Sequence, residues 1–187
     1  MRKKSAKPVI YTIGHSTRTT KRFIDILHAH GIKKIVDVRT IPKSRHNPQF
    51  NQDELRASLA GVKIRYEHLK SLGGLRHAIK NSINLGWENA SFRGFADYMQ
   101  TDSFSRGLER LEKIAQKQTT AIMCAEAVPW RCHRSLIADA LTKKKWLVLH
   151  IQSGKTVRPH KVTSFLRKRA GKLIYPRVDS NSSPRKY

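Results

Sequence analysis

Between Cys124 and Arg134 the chain gathers Cys124, Glu126, Arg131, Cys132, His133 and Arg134 within eleven residues. Each type has a use in chemistry. A thiolate is a nucleophile, and a nearby guanidinium or helix N-terminus lowers the pKa of its thiol. A carboxylate such as Glu126 acts as a general acid or base when burial raises its pKa. His133 can exchange protons near neutral pH. Arg134, at a helix start, suits an anionic ligand. Each has a plainer reading too. Cys124 can be a small buried residue at a strand end. Glu126 can pair with Arg131 or Arg134, and Arg134 with Glu126 or Asp139.

Three arrangements follow from this cluster. In the first, Cys124 is the nucleophile of an anion-binding loop, an outline shared with phosphatases and rhodanese-type sulfurtransferases. The loop from Cys124 to Arg131, CAEAVPWR, lacks the glycines that let backbone N–H groups wrap an oxyanion, and Glu126 inside it would repel one. In the second, Cys124, Cys132 and His133 hold a metal ion, with His15 or His68 arriving from another strand as the fourth ligand. The seven residues between the cysteines are not a zinc-knuckle or zinc-ribbon spacing. In the third, the cysteines form a reversible disulfide, which a reducing compartment disfavours.

The elements that would position these residues alternate. Residues 119–123 are apolar, β-branched and free of Gly and Pro, as in a buried strand. Pro129 and Trp130 make a turn, and Cys132, His133 and Arg134 open a helix with Leu136, Ile137, Ala140 and Leu141 at helical spacing. Strands are predicted over 9–13, 35–38, 64–68 and 146–151, and helices over 21–30, 53–59 and 106–116. Thr19 or Thr20 would cap the first helix and Gly31 stop it. Asn51 would cap the second, and Ser103 or Ser105 the third of these. Residues 77–94 are irregular and lead into a helix carrying Phe95, Tyr98 and Met99. Residues 159–168 read as a basic terminal helix with Val162, Phe165 and Leu166 inward. The pattern predicts an α/β fold: a mainly parallel sheet of about five strands, helices on both faces, one domain.

A parallel sheet sends all its strand carboxyl ends to one rim, where α/β ligands bind. There the sequence places His15 and Ser16, Asp37 and Arg39, then Ser44 and Arg45 in a Pro-rich loop, and finally the Cys124–Arg134 segment. The predicted catalytic residues are Cys124, Glu126, His15 and His133. The predicted substrate-binding residues are Ser16, Asp37, Arg39, Ser44, Arg45, Cys132 and Arg134. Asp37 is expected to be partly buried and to pair with a neighbouring strand. A bond to Arg39 is disfavoured, because residues i and i+2 of a strand lie about 7 Å apart. Nucleotide-binding fingerprints of the G-x-G-x-x-G and P-loop kinds are absent.

Charge narrows the ligand class. The 187 residues include 38 Lys/Arg against 13 Asp/Glu, a net charge of +25. Residues 1–8 carry four basic residues and no acid, and residues 155–187 carry ten against one. The body between them is basic as well. Such a chain attracts an anionic small molecule or a nucleic acid. A basic N-terminal arm (1–8), an α/β domain (9–154) and a basic extension (155–187) whose last part, from 177, is disordered form the expected organisation. No apolar run approaches a membrane span and the first residues lack a signal-peptide core, so a cytoplasmic location and no membrane partner are expected.

The segments YTIGHS, VDVRTIPKSRHNPQFN, the LGG turn, SFRGFADYM and MCAEAVPWRCHRSLIADAL occur in this order over residues 9–152. Together they resemble the family known as domain of unknown function 488, small bacterial and archaeal proteins. The resemblance implies a cytosolic protein and assigns no activity. It implies signature positions at His15, Ser16, Asp37, Arg39, Pro42, Ser44, Arg45, Pro48, Phe50, Gly73, Gly74, Cys124, Glu126, Cys132, His133 and Arg134. A pattern so rich in His, Asp, Arg, Cys and Glu at strand ends favours an enzyme over a packing module. The expectation is an enzyme acting on a phosphorylated or nucleotide-like anion. The alternative is a nucleic-acid-associated binding protein with a structural Cys/His cluster.

Overall fold

The computed structural model describes residues 6–177. Five parallel strands form the centre: β1 (Val9–Gly14), β2 (Lys34–Asp37), β3 (Arg65–His68), β4 (Thr120–Cys124) and β5 (Leu147–Ile151). A sixth, β6 (Val157–Pro159), pairs antiparallel with β5. The order across the sheet is β3-β2-β4-β1-β5-β6. β4, late in the chain, is therefore inserted between β2 and β1. That insertion brings the carboxyl ends of three strands side by side, with Gly14 in register with Cys124 and Asp37 with Met123.

Helices cover both faces. Along β4 the side chains alternate, Ala121 and Met123 to one face and Ile122 to the other, as strand geometry requires. On the first face lie α1 (Thr20–Ala29) and α2 (Gln52–Gly61), with Phe23, Ile26, Leu27, Leu55 and Leu59 buried against Ile13 and Ile35. On the second lie α3 (Ala90–Tyr98), α4 (Asp102–Lys117) and α5 (Arg134–Lys143), packed on Ile10, Val36 and Val148. Helix α5 is buried along Arg134–Leu141, which suits its nearly continuous apolar sequence.

Local signals explain most boundaries. Thr19 caps α1, its side chain accepting from Arg22 N at 3.2 Å, and Gly31 ends the unit at φ 62°. Thr101, not Ser103 or Ser105, caps α4 by accepting from Phe104 N. Asn51 precedes α2, but its side chain turns away and accepts from Ser44 N at 2.8 Å. It thereby fastens the Pro-rich loop instead of capping the helix.

The stretch predicted as a terminal helix is extended. Residues 157–159 extend the sheet, and β7 (Arg167–Arg169) and β8 (Lys172–Ile174) form a small hairpin. Val162, Phe165 and Leu166 do face the core, at a spacing that mimics a helix. The backbone is satisfied elsewhere: His160 N donates to Val148 O and Thr163 N to the Asp139 carboxylate, both at 2.9 Å. Tyr175 is fully buried, so the core extends past the expected domain end at residue 154. Of the expected disordered tail, only Arg177 lies within the described residues.

Candidate active site

At the carboxyl ends of β1, β4 and β2 the chain opens into a cleft of about 620 Å³. Its lining includes His15, Ser16, Arg39, Ser44, Cys124, Glu126, Cys132 and His133. Lys43 and Arg131, both exposed, add positive charge at the mouth. Asp37 and Arg134 lie beneath this surface, and exposed Arg45 is not among the lining residues. Arg134 is only 1% exposed, so it supports the floor instead of meeting a ligand at the surface.

Beyond Gly14 the chain runs hard against the loop after β4. His15 N donates to Cys124 O and Ser16 N to Ala125 O, each at 2.9 Å. A Cβ on Gly14 would stand 1.9 Å from Glu126 O, so only glycine allows this approach. Ser16 takes a left-handed conformation, φ 51°, which turns the chain out of the strand. The His15 ring stacks on Phe50 with centroids 4.2 Å apart. Its Nδ1 donates to Ser16 O at 2.8 Å, leaving the Nε2 lone pair toward Arg39 Nη1 at 3.4 Å. Burial, reinforced by the positive charges of Arg39 and Arg134, pushes the His15 pKa down to about 4. His15 is therefore neutral at pH 7.

Asp37 and Arg39 form the buried ion pair that strand geometry disfavours. The reason is where β2 ends. Asp37 is its last residue, and the chain beyond is free to turn, so Arg39 curls back. Arg39 Nε donates to both Asp37 oxygens at 3.0 Å, Arg39 N donates to Oδ1, and Tyr66 OH donates to Oδ2 at 2.7 Å. Arg39 Nη2 also donates to Phe50 O at 2.8 Å. Burial, then the adjacent Asp37 carboxylate, raises the Tyr66 pKa, which keeps that hydroxyl a donor.

The sulfurs occupy the floor. Cys124 ends β4, and Cys132 follows a single 3-10 turn, Pro129–Arg131. The two sulfurs and a ring nitrogen of His133 all lie within 4.8 Å of one another. Arg134 Nε donates to Cys132 Sγ at 3.4 Å, and Arg134 Nη2 donates to Glu126 O. Cys132 thus sits where a thiolate is best held. The Cys124 hydrogen bond, His133 and Arg134 bring its pKa well below the usual thiol range. The same hydrogen bond, together with burial, pushes Cys124 up. The guanidinium donor therefore falls on Cys132, whereas the sequence expectation places the activated sulfur at Cys124.

His133 has a fixed tautomer. Nε2 lies 3.0 Å from Val38 O, and a carbonyl only accepts, so Nε2 carries hydrogen. Nδ1 faces Cys132 Sγ at 3.6 Å. Gly74 abuts this ring: a Cβ there would lie 2.3 Å from Nδ1. Glu126 is exposed and accepts from Val128 N at 3.1 Å, so the burial a general acid needs is missing. Its carboxylate shapes the loop, and no ion pair with Arg131 or Arg134 forms among the described residues.

Residues 19–141 match the family described as Domain of unknown function DUF488. The chain belongs to that family. No curated protein and no solved structure matches it. The family match spans most of the cleft, from the start of α1 to the interior of α5, while His15 and Ser16 lie just outside it. Three contributors to the DUF488 cleft are not among the sequence-predicted site residues. Arg131 closes the Cys124–Arg131 loop and Lys43 sits beside Ser44 in the Pro-rich loop, so both adjoin predicted site residues without being assigned a role of their own. Gly74 belongs to a Gly-Gly pair that reads as an ordinary turn. Among the described residues, no helix is long and apolar enough to cross a membrane.

Proposed function

We propose that the protein is an enzyme acting on a phosphorylated or nucleotide-like anionic substrate held in this cleft. The observation that carries the reading is the cleft's division of labour. Exposed Lys43 and Arg131 and half-buried Ser16 and Ser44 offer cationic and hydroxyl groups along the lining. The floor below offers the paired sulfurs of Cys124 and Cys132, the His133 ring and a neutral His15. Arg39 and Arg134 hold the floor rigid through buried bonds and make it electropositive. Preorganised cations of this kind stabilise negative charge that grows in a transition state. In this reading Cys132, not Cys124, is the better candidate for direct attack, and His133 beside it exchanges the proton.

Calorimetric titration with inorganic phosphate and nucleoside monophosphates, followed by a turnover screen of phosphate esters, tests the reading. Lys43→Ala with Arg131→Ala is expected to weaken anion binding about 10-fold or more, which corresponds to about 1.4 kcal/mol. Cys132→Ser and His133→Ala are expected to bind the anion and not turn it over. Absence of saturable anion binding by the folded protein would end this proposal.

One observation favours the second reading, a nucleic-acid-binding protein. Trp130, 65% exposed, stands next to Arg131 and borders an adjoining cavity with Arg158 and Lys161. An exposed ring among cations is a stacking platform for an unpaired base. Salt-dependent binding of single-stranded DNA or RNA that is lost in Trp130→Ala, or in Arg158→Ala with Lys161→Ala, would support it.

A further inference from the structure

We infer that Cys124, Cys132 and His133 form a three-ligand site for a zinc-class divalent cation, with the fourth coordination position turned to the cleft. The inference deepens the enzyme reading, resting on it only for what the cation does there.

The geometry comes first. Zinc bonds of about 2.3 Å to sulfur and about 2.1 Å to nitrogen, at a tetrahedral angle, put ligand S and N roughly 3.6 Å apart. Cys132 Sγ and His133 Nδ1 are 3.6 Å apart, and all three ligand atoms fall within 4.8 Å. Two thiolates and one imidazole are a borderline-soft donor set, which selects zinc-like ions over magnesium or calcium.

The surroundings of the ligands carry the argument further. A histidine that binds metal through one ring nitrogen donates its other N–H to a carbonyl or carboxylate, which fixes ring and tautomer. His133 does this, with Nε2 donating to Val38 O at 3.0 Å and Nδ1 facing Cys132 Sγ at 3.6 Å. Arg134 Nε, donating to Cys132 Sγ at 3.4 Å, is the outer partner that a coordinating thiolate needs. Gly74 keeps the space beside Nδ1 clear, since a Cβ there would come within 2.3 Å of it.

The position in the fold explains what an ion does here. All three ligands line the cleft, and no fourth His, Cys, Asp or Glu joins the group among the described residues. A structural zinc site is closed by four protein ligands, whereas three ligands with an open side are the arrangement of catalytic zinc. The open side takes a water or a substrate oxygen, directly below the cationic mouth. Direct attack by Cys132 is then unnecessary, because the sulfurs serve as ligands.

The test uses the full chain, kept reduced and stripped with a chelator. Titration with Co²⁺ is expected to give one ion per chain, with a thiolate-to-cobalt charge-transfer band and the intense visible bands of four-coordinate cobalt. Zn²⁺ is expected to displace it. X-ray absorption on the zinc-loaded wild type is expected to find two sulfurs and one imidazole. Cys132→Ser and His133→Ala, checked for folding by circular dichroism, are expected to weaken Zn²⁺ binding more than about 100-fold, beyond the upper range for losing an outer partner. Gly74→Ala, which keeps all three ligands, is expected to weaken it less. Absence of the charge-transfer band in the reduced wild type would overturn the inference even if no variant folds. So would Zn²⁺ affinity unchanged in folded Cys132→Ser. Anion binding that persists in either case would leave the enzyme reading standing.

Discussion

Arg39 folds back onto Asp37, two residues earlier, and carries the other edge of its guanidinium to within 3.4 Å of His15 Nε2. One arginine thus ties the end of β2 to the end of β1 across the inserted strand β4. The pair is fully desolvated, with Asp37 at 0% and Arg39 at 5% exposure. Breaking a buried pair costs more than the pair contributes, because the survivor is left charged and dry. Asp37→Ala is expected to cost about 3–5 kcal/mol in urea unfolding. The double variant with Arg39→Ala is expected to cost less than the sum of the two singles. Strict additivity would mean that the two side chains are not coupled.

Acidification acts through two histidines. Burial pushes the pKa values of His15 and His150 from the ordinary 6.5 down to about 4. In that window the unfolded chain binds protons that the folded chain refuses. The contribution of these two rings to stability is therefore complete above pH 6.5, falls as pH drops toward 4, and levels off below it. Urea midpoints measured from pH 7 to pH 4 are expected to decline, and His150→Gln is expected to flatten the slope. A wild-type midpoint constant across the window would contradict the burial of both rings.

Gly74→Ala separates crowding at the site from backbone strain. The new methyl would meet His133 Nδ1 at 2.3 Å, and the ring cannot retreat without losing Val38 O. A loss of about 1–3 kcal/mol is expected, together with impaired turnover. Gly31→Ala is the control. Its φ of 62° strains any side chain, yet nothing lies within 4 Å of the added carbon. It is expected to cost about 1–2 kcal/mol and leave ligand binding intact. Equal effects on binding would show that Gly74 has no special place against His133.

Alternation of apolar strands and helices was enough to read the α/β class and the rim. The cleft itself depends on β4 lying between β2 and β1, and strand order is a long-range property that no local pattern carries. The Asp37–Arg39 pair does not obey strand spacing because β2 ends at Asp37, and Arg39, two residues beyond, turns back. The sulfurs of Cys124 and Cys132 do lie close together. Which of them is the better thiolate depends on Arg134 Nε, whose direction only the folded turn reveals. The segment after Gly154 misled because Val162, Phe165 and Leu166 repeat at helical spacing while packing from an extended chain.

That segment is held by one carboxylate. Asp139, fully buried on α5, accepts from His160 Nε2 at 2.8 Å, Thr163 N at 2.9 Å and Tyr175 OH at 3.0 Å. His160 Nδ1 is hydrogen-bonded to His150 Nε2 at 3.0 Å, and His150 Nδ1 to the Thr12 hydroxyl at 2.8 Å. The chain of bonds ends on β1, so the residues after Gly154 are fastened to the sheet centre. Tyr175→Phe removes one donor and is expected to cost about 1–3 kcal/mol. Asp139→Ala strips three donors of their acceptor and is expected to cost more. A chain ending at Gly154 would expose the surface that Leu166, Ile174 and Tyr175 cover, and is expected to unfold at clearly lower urea than the full chain. Hydrogen exchange gives the local readout: Tyr175→Phe should speed exchange at the Thr163 and Tyr175 amides before it affects β4. Uniform acceleration throughout the sheet would instead mean that this segment and the sheet open as one unit.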